Sequence, residues 1–117
     1  FIRETQRAII NRRQFGLPAM LVSTIVPPGD RGKEIETLIL RQRRGLDCIW
    51  VRESGASRQI LLLMPLTGPL EYEGYQKRIA QILRERFGQS IEELELRIMT
   101  REITAKQKLD TLLNLND

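Results

Sequence analysis

The chain has 117 residues, 41% of them hydrophobic and 29% charged, with a net charge of +4; that length suits one domain with one core, and no run approaches the ~20 consecutive apolar residues of a membrane-spanning helix. One cysteine and no histidine exclude a disulfide, a Cys/His zinc cluster, a Ser-His-Asp or Cys-His nucleophile and an imidazole base, leaving Cys48 as a small apolar residue of a reducing compartment. The positive excess, concentrated at Arg12-Arg13 and Arg41-Gln42-Arg43-Arg44, favours a nucleotide, nucleic acid or anionic lipid partner and equally fits solvated helix ends. A start at Phe1 rather than Met leads us to expect a segment of a longer chain.

Ile2, Thr5, Ala8 and Ile9 recur at helical spacing and predict an amphipathic helix over 1–13, ending before Gly16. Leu17 to Val26 (LPAMLVSTIV) reads as a buried strand closed by Pro27-Pro28-Gly29. Ile35, Leu38 and Ile39 mark a helix from about Lys33 to Arg43, stopped by Gly45. Asp47 to Val51 and Gln59 to Met64 read as two strands of a hairpin whose polar turn runs from Arg52 to Arg58. Tyr72, Tyr75, Ile79, Ile82, Leu83 and Phe87 predict a core-packed helix over 71–87, stopped by Gly88. A half-exposed strand over 93–103 and a short helix over 106–115 complete the chain. The centre, 17–103, is therefore β-α-β-β-α-β, an α+β ferredoxin-like or palm-like pattern with an antiparallel-rich sheet and two helices on one face.

Four stretches carry a resemblance: RRQFGLPAMLV into the first strand, RGLD before the hairpin, LLLMPLTG after it, and KRI in the following helix. In order and spacing they resemble the GGDEF family, whose active members join two GTP molecules into cyclic di-GMP. The resemblance implies that 1–117 is one GGDEF-like domain, but a degenerate one. Active members end the first strand in a pair of metal-ligating acids, because Mg²⁺ prefers hard oxygen ligands beside a triphosphate; here Ser23-Thr24-Ile25 stands there. The Gly-Gly-Asp/Glu-Glu-Phe turn is replaced by Glu53-Ser54-Gly55-Ala56-Ser57, and the segment that helps cradle GTP shortens to Pro27 to Lys33. Catalysis, a metal and a cofactor are accordingly not expected. Gly29 to Lys33 is no phosphate loop either, because a Walker loop needs wider glycine spacing and a Ser/Thr after the lysine, where Glu34 follows.

What the resemblance retains is the product-inhibition site, Arg-x-x-Asp, at Arg44-Gly45-Leu46-Asp47, with a helper arginine that family spacing from Pro65 places at Arg78. An arginine fork pairs bidentately with guanine O6/N7 or a phosphate and also stacks; the Asp47 carboxylate would accept from guanine N1–H and N2–H. Arg41 and Arg43 are accessory candidates for phosphate contacts. Among degenerate members the likeness is to receptor domains of exopolysaccharide secretion systems. It implies an intercalated cyclic di-GMP dimer as ligand, a GAF-type domain upstream, synthase or secretion subunits as partners, and a place on the cytoplasmic face of the inner membrane without membrane contact by this segment.

Other readings of the same residues stay open. Arg44 also suits a helix C-terminus, where a cation complements the macrodipole, and Asp47 suits a turn beside Gly45. A ferredoxin-like sheet can bind nucleic acid through aromatics on adjacent strands. Here Trp50 is the one strand aromatic, in the apolar run Cys48-Ile49-Trp50-Val51, so it is expected in the core. In a purely structural interaction domain, Arg44 and Asp47 would form a surface ion pair of little energetic consequence.

Overall fold

The computed structural model describes residues 1–104. Its elements are α1 (Ile2–Phe15), β1 (Ala19–Val26), α2 (Asp30–Leu40), β2 (Cys48–Ser54), β3 (Ser57–Pro65), α3 (Pro69–Phe87) and β4 (Arg97–Glu102). The expected helix over 106–115 lies outside the described residues. The strands form one antiparallel sheet in the order β2-β3-β1-β4, the α+β split β-α-β arrangement expected from element order.

β1 is apolar apart from Ser23 and Thr24 because all eight of its residues are buried, and alternate side chains enter different layers. Met20, Val22 and Val26 join Ile60, Leu62 and Met64 of β3, Ile35 and Ile39 of α2, and Tyr72, Tyr75, Ile79 and Leu83 of α3 in the main core. Ala19 and Leu21 point the other way, to Leu63, Ile103 and the Ala8 and Ile9 of α1. Thus α2 and α3 cover one face, and α1 covers part of the other. Each fully buried aliphatic side chain contributes roughly 1.5–3 kcal/mol, which favours this layering over any pairing that turns β1 to water.

The larger departures from expectation lie in α2, the hairpin, β4 and the burial of Trp50. α2 begins at Asp30 rather than Lys33 and ends at Leu40 rather than Arg43. Its first turn packs against the preceding Pro27, so closely that a Cβ on Gly32 would lie 1.7 Å from the Pro27 carbonyl oxygen. The hairpin has a two-residue turn, Gly55-Ala56, rather than a loop over 52–58. Ser54 pairs with Ser57 and Glu53 with Arg58 in register, and Gly55 supplies the left-handed φ of 63° that the turn needs. Charged residues suggested a loop, but Arg58 instead reaches Glu36 of α2 at 2.7 Å.

β4 begins at Arg97 rather than Glu93 because Ser90 and Glu93 cap one another. The Ser90 N–H donates to Glu93 Oε1 at 3.0 Å, and the Glu93 N–H to Ser90 Oγ at 3.2 Å, a reciprocal box that tightens 91–95 into turns. Finally, Trp50 is 52% exposed rather than in the core. β2 is an edge strand, and α1 covers only the half of that face near Leu21 and Leu63. The strand neighbour of Trp50 is Leu61, so no aromatic on the adjacent strand forms a stacking pair with it.

Candidate ligand-binding corner between helix and hairpin

Between α2 and β2 the chain reverses through 41–47, and its last turn closes on itself. The Asp47 N–H donates to the Arg44 carbonyl at 3.1 Å, while the Arg44 N–H donates to Asp47 Oδ2 at 3.0 Å. Two residues between Arg and Asp are what these reciprocal bonds require. The side chains then pair: Arg44 Nε donates to both Asp47 oxygens at 3.3 and 3.2 Å, and Nη2 to Oδ1 at 3.1 Å. Asp47 is 1% exposed and the Arg44 side chain 40%. An isolated carboxylate so deeply buried would be costly; a charge-assisted fork satisfies it.

A third partner arrives from the loop between β3 and α3. Thr67, 1% exposed, accepts from Arg44 Nη2 and donates its own hydroxyl proton to the Pro65 carbonyl at 3.1 Å. Among the described residues Arg44 Nη1 makes no hydrogen bond. Arg43 donates through Nε to the Asp47 carbonyl at 2.8 Å, so it braces the corner. Arg41 is exposed at the C-cap of α2.

Arg78 lies on α3, three residues after Tyr75, the spacing that puts two side chains on one helix face. Its guanidinium carbon stands 5.5 Å from the Tyr75 ring centroid, within cation–π range. Tyr75 is buried, and burial pushes its hydroxyl up to about 12; the charge of Asp47 adds to the rise, while Arg78 and Arg44 oppose it. One phenol thus feels all three expected site residues, drawn from two separate stretches of chain. Thr67 and Tyr75 were not singled out from sequence. Tyr75 had a legible signal in its spacing to Arg78; Thr67 had none, since its partner lies 23 residues away.

Farther along β1 toward the hairpin, at the position matching the metal acids of active GGDEF domains, Ser23 is buried and accepts from Gln59 Nε2 at 2.8 Å. Gln59 in turn accepts from Arg52 Nε, so a polar chain crosses three strands with no carboxylate in it. A polar hollow of about 260 Å³ lies between Pro27–Lys33 and the hairpin tip. No group of three metal-ligating side chains occurs among the described residues.

The family model for the PelD GGDEF domain matches residues 1–116. The crystal structure of PelD 158-CT from Pseudomonas aeruginosa PAO1 is 31% identical, with a TM-score of 0.83, over 92% of this chain and 39% of that one. The same protein in complex with c-di-GMP matches at 31% identity and TM-score 0.83, over 92% and 38%. PelD 156-455 from Pseudomonas aeruginosa PA14, in the apo form, matches at 30% and 0.85, over 96% and 41%. The chain therefore spans about two fifths of the length of these structures. No curated protein matches it.

Proposed function

The chain belongs to the PelD GGDEF domain family, and from that premise we propose that it is a cyclic di-GMP receptor without cyclase activity, holding the dinucleotide at Arg44, Asp47 and Arg78. The observation that carries this reading is the Arg44 guanidinium: two of its nitrogens are fastened to buried Asp47 and Thr67, its Nη1 has no hydrogen-bond partner among the described residues, and 40% of its side chain is open to solvent. The c-di-GMP complex of a PelD structure 31% identical to this chain supports the choice of ligand.

The chemistry is complementary. Cyclic di-GMP offers guanine O6 and N7 acceptors, anionic phosphates and flat faces; a fixed guanidinium pairs with the first two and stacks on the third. Arg78, steadied on Tyr75, supplies a second cation, and two arginines suit an intercalated ligand dimer better than one. Asp47 acts first as the anchor of Arg44. Direct acceptance from guanine N1–H and N2–H requires Arg44 to release a carboxylate oxygen, so ligand and Arg44 compete for it. Such competition is a differential affinity for two states of the corner, the requirement for a ligand to act as a switch.

The proposed lack of cyclase activity rests on chemistry toward the hairpin, where Ser23 is committed to Gln59 and the turn is Gly55-Ala56; neither supplies a carboxylate for Mg²⁺. Family membership extends the proposal to the parent protein: control of exopolysaccharide synthesis or secretion through a GAF-type domain upstream and synthase or secretion subunits, at the cytoplasmic face of the inner membrane. Among the described residues no helix is long and apolar enough to cross a membrane.

Calorimetry with cyclic di-GMP tests the site. Expected is a micromolar-range dissociation constant, on the order of −8 kcal/mol, lost in Arg44→Ala and Asp47→Ala and weakened in Arg78→Ala. Unchanged binding by Arg44→Ala moves the site elsewhere. Incubation with GTP and Mg²⁺ is expected to yield no cyclic di-GMP, and product above a blank overturns the non-catalytic reading.

A further inference from the structure

We propose that Thr67 is the positioning residue that sets the plane of the Arg44 guanidinium for its ligand, an inference that rests on the receptor reading above. A threonine hydroxyl has one proton to give. Here that proton goes to the Pro65 carbonyl at 3.1 Å, which leaves the oxygen lone pairs to receive Arg44 Nη2. Asp47 grips Nε and the same Nη2. Rotation of the guanidinium is therefore blocked from two directions, by groups each only 1% exposed. Among the described residues, what remains uncommitted is Nη1.

The backbone gives an independent sign that Thr67 is held there. Leu66, the residue before it, has φ 57°, a left-handed conformation that non-glycine residues rarely adopt. Its side chain is 55% exposed, so burial of the leucine does not account for the strain. The turn does, however, carry Thr67 from the end of β3 into the interior against Arg44. Strain retained by its surroundings is a signature of a functional constraint. The consequence is preorganisation: a guanidinium already ordered loses less freedom on binding.

The test is calorimetry with cyclic di-GMP on the 117-residue chain carrying Thr67→Val, Thr67→Ser or Arg44→Ala, each first shown to melt cooperatively. Thr67→Val keeps the shape and removes the hydroxyl, and is expected to weaken binding about ten-fold. Thr67→Ser restores the hydroxyl and is expected to stay within about three-fold of wild type. Thr67→Ala replaces the valine variant if the latter does not melt cooperatively. Wild-type affinity in the hydroxyl-free variant, or serine as weak as that variant, overturns the role of Thr67 so long as Arg44→Ala has lost binding. Wild-type affinity in Arg44→Ala instead overturns the receptor reading at this corner, whatever Thr67 does.

Discussion

The two ends of the sheet lie roughly 25 Å apart along the eight residues of β1, and they use polar residues in opposite ways. At the Arg44 end, buried Asp47 and Thr67 hold a half-exposed guanidinium that keeps donor capacity unused among the described residues. At the hairpin end, the groups that might have met a nucleotide are consumed by the fold: Ser23 by Gln59, Arg58 by Glu36, and Gly32 by its approach to the Pro27 carbonyl. A glycine or an arginine counts as functional when packing leaves it something to do, and a charged pair at a surface is otherwise weak evidence.

The largest effect is expected at Gly32. With a Cβ 1.7 Å from a backbone oxygen, Gly32→Ala must displace the start of α2, and we expect a loss of roughly 3 kcal/mol, read as a fall in Tm of about ten degrees on thermal melting. Cyclic di-GMP affinity below the melting range should stay within about two-fold, since distant sites act independently. A large loss of binding there would couple the two ends.

Alkaline pH acts on the Arg44 end. Burial is the first cause that lifts Tyr72 and Tyr75 from 10.0 to about 12, with each ring's neighbours adjusting it. Because the folded-state values are raised, the stability they contribute is whole below pH 10, the unfolded value, and is lost as pH rises from 10 to 12, when the unfolded chain ionises and the folded one resists. The loss is on the order of 2 kcal/mol per ring. Denaturant melts across that window should show it, and Tyr75→Phe, which keeps a face for Arg78, should flatten its share.

The smallest effect is expected at Leu66. Leu66→Asn relieves the cost of a left-handed leucine, because asparagine tolerates that conformation, and should raise stability by about 0.5–1 kcal/mol in a chemical melt. Affinity should hold, since the turn and the Thr67 hydroxyl persist. A destabilised variant would mean that Leu66 packs in a way its 55% exposure does not suggest.

Much of the fold is legible along the chain, because helical and strand periodicities are properties of the local backbone. Ile35 and Ile39, or Tyr72, Tyr75 and Ile79, can share a face only if their stretches are helical. Legibility failed where a local signal had two meanings. The charged run over 52–58 looked like a loop, yet cross-strand register and the Glu36 partner make most of it strand. Trp50 sat in an apolar run, yet an edge strand half covered by α1 leaves it in water.

The sequence by itself determined the order of the described elements, through hydrophobic periodicity, and it set Arg44 three residues before Asp47 and Tyr75 three before Arg78, spacings whose local backbone geometry brings each pair together. Tertiary structure alone decided that α1 closes the face opposite α2 and α3, that the hairpin turns on Gly55-Ala56, and that Thr67 comes to Arg44 from 23 residues away. These depend on which buried surfaces fit together, and no periodicity along the chain encodes that.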